Sequence, residues 1–354
     1  MIDATVRMRR FRRLRTLLAV TAVVVAPSAG SALAAPGTAP AAAPAGVAAW
    51  RADHRHLPDP VTAAPAEVGR FLSTAGHAER LALVAAHPRV LGNLDGAPVA
   101  LRYAANRLSM RATGVAYPDP GGDYLLFDPR GRGRVAQVFG DLSAADRIAV
   151  LVPGMSNRLA NFWSGVGGRS YRSPALQAAD LYRAMTAAAP AGRRFAVIAW
   201  LGYDTPQGVD EAKREDLAKA GGVALARFVD GLVTVRPEAT IALLGHSYGS
   251  TVIGRAAARL SPRVTDLAVF GSPGMGVRTA AELGTGARIW AGRSARDWVR
   301  WVPGVRWLGI GHGTAPTRPG FGARVFATAD VTDHDHYLAP GTDSLAELAR
   351  IARS

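Results

Sequence analysis

Thr240-Ile-Ala-Leu-Leu-Gly-His-Ser-Tyr-Gly-Ser-Thr-Val-Ile-Gly254 passes from an apolar strand straight into a helix through the five residues from Gly245 to Gly249. Its apolar run is continuous rather than alternating, as in a parallel strand buried on both faces. In a chain with 39 glycines, a G-x-S-x-G match by itself carries little information. Between a strand and a helix it becomes a strained turn that lifts the serine hydroxyl to the carboxyl end of a sheet, against the positive end of the helix. The two glycines keep side chains out of the neighbouring strand and helix. No G-x-G-x-x-G and no Walker lysine accompany the turn, which argues against a nucleotide-binding loop. Ser247 is the candidate nucleophile.

Outward from this turn the same pattern repeats. Short apolar runs bounded by turns occur at Tyr124–Phe127, Val135–Phe139, Ile148–Val152, Phe195–Trp200, Ile241–Leu244, Leu267–Phe270, Ile289–Ala291 and Val325–Ala327. Helix-length amphipathic stretches separate the later runs, at Ala175–Ala187, Val209–Val233 and Ser250–Leu260. Strands alternating with helices predict a doubly wound α/β sheet, mostly parallel, with helices on both faces. The loop Asp128–Arg134 is too short for a crossover helix, so the first two runs are expected as an antiparallel hairpin at the edge of an eight-stranded sheet. Residues 65–110 instead carry Val68, Phe71, Leu72, Leu81, Leu83 and Val84 at helical spacing. The expected organisation is a helical N-terminal segment over residues 49–115, followed by the α/β domain over residues 116–354.

A serine nucleophile needs a base, and the base needs an orienting carboxylate. In a sheet of this kind they follow the serine in the order acid, then histidine. The carboxylates between Ser247 and His334 are Asp266, Glu282, Asp297, Asp330 and Asp333. Asp266 opens a strand at the wrong end of the sheet, Glu282 falls on a predicted helix, and Asp330 and Asp333 are too close along the chain to reach behind the histidine. Asp297, in the loop after the run around Ile289, is the best acid. His312 precedes the last strand, whereas His334 and His336 both follow it, and spacing does not choose between those two. The alternation of Asp and His over residues 333–336 lacks the H-E-x-x-H spacing or distant ligands of a zinc site, so neither a metal nor a cofactor is expected. The oxyanion of an acyl-transfer intermediate needs two backbone N–H donors. Tyr248, after the serine, supplies one; Met155, in the loop Pro153-Gly154-Met155-Ser156-Asn157, is expected to supply the other, with Gly154 letting the backbone approach.

Composition bounds the class. Hydrophobic residues make up 49% of the 354 and charged residues 19%, which suits a chain with a large core. The absence of cysteine excludes disulfides, thiolate metal sites, a cysteine nucleophile and a lipidated cysteine. The net charge of +15 is carried almost wholly by arginine, with Lys213 and Lys219 the two lysines. That bias suits a GC-rich coding sequence. No basic block interleaved with aromatics marks a nucleic-acid groove, so no nucleic-acid partner is expected.

Residues 1–34 hold Arg7, Arg9, Arg10, Arg12, Arg13 and Arg15 against Asp3, then the apolar run Leu17–Ala26 and the small-residue end Ala32-Leu33-Ala34. This is the pattern of a signal peptide, with an apolar run too short for the ~20 residues of a spanning helix. The paired arginines are compatible with more than one export route. Ala, Pro, Gly and Thr dominate residues 35–48, read as a flexible linker, with ordered structure expected near Trp50. A secreted or cell-envelope location follows, and envelope association is one expectation.

The chain resembles a bacterial α/β-hydrolase family known mainly as a domain of unknown function. The resemblance rests on Gly92-Asn93-Leu94-Asp95-Gly96, Ala105-Asn106-Arg107, Leu151-Val152-Pro153-Gly154-Met155, Trp200-Leu201-Gly202-Tyr203-Asp204, Gly245–Ser250 and Gly271-Ser272-Pro273-Gly274. It continues through Gly311-His312-Gly313, Phe321-Gly322-Ala323-Arg324 and the His-x-x-Tyr of His334–Tyr337. It implies the α/β-hydrolase fold with the helical segment packed on it, and it favours His334 as base, with His336 in reserve. The expectation is an exported serine hydrolase cleaving a small-molecule or lipid ester. Acyl transfer to an envelope glycan or lipid, and a non-catalytic envelope-binding domain, are the alternatives. Phe162, Trp163, Trp298, Trp301 and Trp307 are candidates for lining an apolar acyl pocket.

Overall fold

The computed structural model describes residues 43–187, 189, 192–302, 306–307 and 310–354. The leader expected over residues 1–34, and the linker up to residue 42, lie outside the described residues. Five helices open the described chain: α1 (Val47–Arg51), α2 (Pro65–Thr74), α3 (His77–Ala86), α4 (Pro88–Leu91) and α5 (Val99–Arg111). Helix α1 begins inside the stretch read as linker, because Val47 and Trp50 are buried against Val90, Leu91 and their neighbours. Composition alone hid that contact.

The strands are β1 (Asp123–Asp128), β2 (Arg134–Phe139), β3 (Arg147–Val152), β4 (Phe195–Leu201), β5 (Thr240–His246), β6 (Val264–Phe270) and β7 (Arg288–Gly292). A two-stranded ribbon, β8 (Arg306–Trp307) and β9 (Ile310–Gly311), precedes the short β10 (Arg324–Val325). Eight strands form one sheet in the order β1-β2-β4-β3-β5-β6-β7-β10. The hairpin of β1 and β2 is antiparallel and lies at the edge, β2 runs antiparallel to β4, and all other neighbours are parallel. Seven of the eight apolar runs read from the sequence are strands of this sheet, and the eighth, Val325–Ala327, overlaps the exposed β10 only at Val325.

Helices cover both faces, which is why the central runs are continuously apolar. On one side Ile148, Val150, Ile241 and Leu243 pack with Leu225, Val229 and Leu232 of α8 (Asp216–Val235) and with Val252 and Ile253 of α9 (Tyr248–Ala256). On the other, Ala149, Leu151, Ala242 and Leu244 meet Leu181 and Met185 of α6 (Pro174–Ala187) and Leu348 and Ile351 of α10 (Asp343–Arg353). A short α7 (Val209–Ala212) precedes α8. Strand order reverses between β3 and β5, so the loops leaving their carboxyl ends diverge. The crevice at such a switch point is where doubly wound sheets place ligands. The Pro153–Asn157 loop leaves β3 there, and Ser247 follows β5.

The N-terminal helices bury Trp50, Val68, Leu72, Leu83 and Leu91 in a core of their own. They also cover the exposed edge of β1. Asn93 Oδ1 accepts Phe127 N–H at 2.7 Å while its amide donates to Phe127 O at 3.0 Å. Asn106 Nδ2 donates to Gly92 O and Tyr124 O, both at 2.8 Å, and Arg102 donates to Leu125 O and to Asp95. Side chains thus satisfy backbone groups that an edge strand would otherwise present for aggregation. Asn106 is fully buried, so Asn106→Ala takes the side-chain donor from Tyr124 O and leaves Gly92 O with only the 3.3 Å bond from Arg102 Nε. It should cost about 2–4 kcal/mol in urea denaturation. Arg107→Ala, which removes a half-exposed ion pair with Asp123 and bonds to Gly121 O and Gly122 O, should cost less, about 1 kcal/mol.

Candidate active site

Ser247 occupies a backbone conformation that few side chains tolerate, with φ 52° and ψ −123°. Conformations of this kind cost on the order of 1–3 kcal/mol and persist only where the surroundings impose them. Here the turn is imposed by packing. A Cβ on Gly245 would lie 2.8 Å from Ile253 Cδ1, and one on Gly249 would lie 2.2 Å from Val152 O. The helix therefore starts hard against both its own strand and β3. Ser247 N–H donates to Phe270 O at 3.0 Å, which holds the turn to β6 as well.

The segment after β10 brings His334 to this turn. His334 Nε2 lies 2.9 Å from Ser247 Oγ, and its Nδ1 lies 2.9 and 3.0 Å from the two oxygens of Asp297. Asp297 has no solvent exposure and His334 is 7% exposed, so the line of three is shielded from water on the acid side. Asp297 is fully engaged. Its Oδ1 also accepts Val299 N–H at 2.8 Å, and its Oδ2 accepts the Tyr337 hydroxyl at 2.6 Å. Burial alone would push this carboxyl up. The hydrogen bond and charge of His334, with Tyr337 and Val299 N–H, outweigh burial and hold it below the ordinary carboxylate value. Tyr337 in turn accepts Ser294 N–H at 3.0 Å and so ties the acid's loop to the histidine's.

His246, inside the serine turn, braces the histidine from the other side. Its Nε2 lies 2.7 Å from the His334 carbonyl, and its ring stacks on Phe270. Burial, and then the neighbouring His334, push the His246 pKa down. A neutral imidazole facing a carbonyl oxygen must carry its proton on that nitrogen, so Nε2 donates.

Gly154 comes so close to the serine that a Cβ there would sit 2.8 Å from Ser247 Cβ. Two side chains set the orientation of this loop. Tyr203 donates to Pro153 O at 2.6 Å, and Asn157 Nδ2 donates to Gly154 O at 3.0 Å and to Met155 O at 3.3 Å. In a trans peptide the C=O of Gly154 and the N–H of Met155 point in opposite directions. Asn157 therefore fixes where Met155 N–H points. That N–H has no backbone acceptor among the described residues. Tyr248 is the first residue of α9, where N–H groups lack intrahelical partners. Its hydroxyl is anchored elsewhere, donating to Arg214 O and accepting Ala218 N–H.

The remaining sequence candidates lie apart from this line. His336 pairs with Asp333 at 2.7 Å and stacks on Tyr171. Asp266 is held by Arg288 and by Trp290 Nε1 at the amino end of β6. Among the aromatics, Trp298 and Trp301 border the cleft beside Ser247. Phe162 is instead wholly buried, and Trp163 packs on Tyr117, Tyr124 and Phe162 with its Nε1 on Gln137. The Trp307 side chain lies outside the described residues. His312 is buried and borders the same cleft, and burial pushes its pKa down. Sequence reading assigned no role to His246, Asn157, Tyr203 or Tyr337. Tyr203 and Tyr337 stand inside motifs it quoted, but the partners they reach are 50 and 40 residues away. Among the described residues no group of three or more His, Asp or Glu side chains is arranged to hold a metal ion.

A sequence profile described as alpha/beta hydrolase matches residues 128–306, half of the chain. The chain belongs to this family. The matched part of this alpha/beta hydrolase includes Ser247 and Asp297 and ends before His334. An uncharacterized protein of Mycobacterium tuberculosis is 29% identical over 378 residues, covering 84% of this chain and 56% of that protein. The alpha/beta hydrolase described here thus spans little more than half the length of that relative. An uncharacterized protein of Mycobacterium bovis is 30% identical over 234 residues, covering 64% of this chain and 80% of its own. Among solved structures, a carboxylesterase from Mesorhizobium loti is similar with a TM-score of 0.41 and 14% identity, over 64% of this chain and 96% of that one.

The depressed histidines make a pH prediction. Because His246 and His312 bind protons less readily folded than unfolded, the unfolded chain takes up protons first as pH falls. Their contribution to stability is complete above about pH 6.5 and drains away below it. Asp297, with its lowered value, acts in the same direction in the more acidic carboxylate range. The urea midpoint should therefore be lower at pH 5 than at pH 7.5. His246→Gln should shrink the corresponding difference in unfolding free energy by on the order of 1 kcal/mol; an unchanged difference would assign the pH dependence to other groups.

Proposed function

We propose that this chain is an exported serine hydrolase that cleaves an ester through an acyl-enzyme. Ser247 Oγ attacks the carbonyl carbon and its proton passes to His334 Nε2. Asp297 holds the imidazole and balances the charge that forms on it. The N–H groups of Tyr248 and Met155 receive the oxyanion. Collapse breaks the bond to the alcohol oxygen, which leaves with the proton from His334. Water then attacks the acyl-enzyme, delivers a proton to His334 and releases the carboxylic acid. The proton returns to Ser247.

The observation that supports this reading most is the unbroken line from Ser247 Oγ through His334 to the buried Asp297, at 2.9 Å for each link. An isolated serine hydroxyl is a weak nucleophile, and this arrangement is the kind that activates one. Export rests on the basic and apolar pattern of residues 1–34, and an envelope location would follow from it.

The protein from residue 35 onward, treated with a fluorophosphonate probe, should carry a single adduct on Ser247 by mass spectrometry, with none on Ser247→Ala. No adduct on folded wild-type protein would sink the reading and favour a binding domain. On any ester that is turned over, Asp297→Asn should lower kcat by about 10³–10⁴-fold through loss of the correct tautomer. His334→Ala should abolish measurable turnover, and His336→Ala should stay within a few-fold of wild type. Chemical sequencing of the N-terminus of protein secreted by a bacterial host should begin near Ala35.

A further inference from the structure

Two spaces meet at Ser247, and they differ in size and chemistry. On one side is a cleft of about 660 Å³, bordered by Met155, Val209, Pro273, Trp298, Val299 and Trp301. That volume falls within the range that holds a drug-sized ligand. Val209, Trp298 and Trp301 are 62%, 53% and 74% exposed, and all three are among the few large apolar side chains left in solvent by the described residues. Exposed apolar side chains gathered at one site mark a surface that binds something apolar.

The other space measures about 80 Å³, room for only a few non-hydrogen atoms. It is bordered by Asn157, Arg172, Gln177, His246, His334 and Asp335. Arg172 and Asp335 form an ion pair at 3.3 Å on its border, and both are about a quarter exposed. Gln177 is nearly buried, with its amide donating to Tyr171 O at 2.9 Å. Asn157 Oδ1, buried without a hydrogen-bond partner among the described residues, and the Arg172–Asp335 pair are the groups suited to hydroxyls on this border, which also includes Met155, Val166 and Trp298.

The position of the base orients the substrate. His334 borders the small space, with its ring 4.7 Å from that of Trp298, which stands where the two spaces meet. The imidazole that takes the serine proton must hand it to the departing oxygen, so the alcohol leaves on the His334 side. Resting on the serine-hydrolase reading above, we infer that the substrate is an ester of an extended apolar acyl group with a small, hydroxyl-bearing alcohol. The acyl chain lies in the cleft of Val209, Trp298 and Trp301, and the alcohol lies against Arg172, Gln177 and Asp335. Acylation forms the Oγ–acyl bond, breaks the acyl–oxygen bond and releases the neutral alcohol, its oxygen carrying the proton from His334. Water then frees the fatty acid.

Two isomeric esters separate this orientation from its reverse: 2-hydroxyethyl hexanoate, with an apolar acyl group, and hexyl glycolate, with an apolar alcohol. Their kcat/KM values should differ by at least about tenfold in favour of 2-hydroxyethyl hexanoate. Quenched enzyme should carry a hexanoyl mass on Ser247. Against 2-hydroxyethyl acetate the hexanoate should gain up to about fourfold per added methylene, the limit set by full burial. Val209→Asp should lower that hexanoate-to-acetate ratio at least tenfold. Equal rates, or preference for hexyl glycolate, on enzyme that still forms the fluorophosphonate adduct at Ser247 would overturn the orientation and leave the hydrolase reading standing. Absence of both turnover and adduct would overturn both.

Discussion

The backbone at Ser247 cannot relax, and the rest of the site is built around that constraint. Its left-handed conformation is held because β5 and α9 meet with no space between them, and because α9 also abuts the end of β3. Removing the side chains at positions 245 and 249 permits the approach. Burial of Val252 and Ile253 under the sheet enforces it. The strain of order 1–3 kcal/mol is set against the packing of an entire central layer. A serine hydroxyl presented this way has its orientation determined before any ligand arrives, which is the condition for a preorganised site.

Once the serine is placed, two other loops have to meet it. Asp297 and His334 come from segments beyond β7 and β10, and neither loop is regular enough to position them unaided. They are joined through side chains: Tyr337 links Asp297 to Ser294 N–H, and His246 holds the His334 carbonyl. The same logic governs the loop after β3, where Tyr203 and Asn157 fix successive carbonyls and so the direction of Met155 N–H. Polar residues that never touch a reacting atom thus carry much of the precision. Each holds a backbone partner, which in a low-dielectric interior stiffens the arrangement, while Asn157 Oδ1 is left without a partner among the described residues.

Much of this was legible in the sequence where the signal is local. A strand, a turn and a helix within fifteen residues announced Ser247. Eight apolar runs announced the sheet, and the brevity of the loop between β1 and β2 announced its antiparallel edge. Asp297 and the pair His334 and His336 were reachable by chain order, but spacing could not separate the two histidines. The motif around Asn93 and Asn106 was visible without a meaning. Its role is to cover the outer edge of β1, and that depends on a strand more than fifteen residues away. The aromatics were the least legible, because Trp163 and Trp298 both sit in loops while one is packed on tyrosines and the other borders the cleft.

By itself the sequence determined the alternation of strand and helix, the turn that carries Ser247 and the short set of residues able to serve it. Those follow from periodicity and backbone sterics, which act over a few neighbouring residues. Tertiary structure alone decided that Asn157 and His246 act as braces and that a large apolar space and a small one meet at the hydroxyl, and it brought to the serine the histidine, His334, that the His-x-x-Tyr resemblance favours over His336. Each of these is a contact or a cavity between segments tens of residues apart. Their distances depend on how whole layers pack, and no local pattern encodes that.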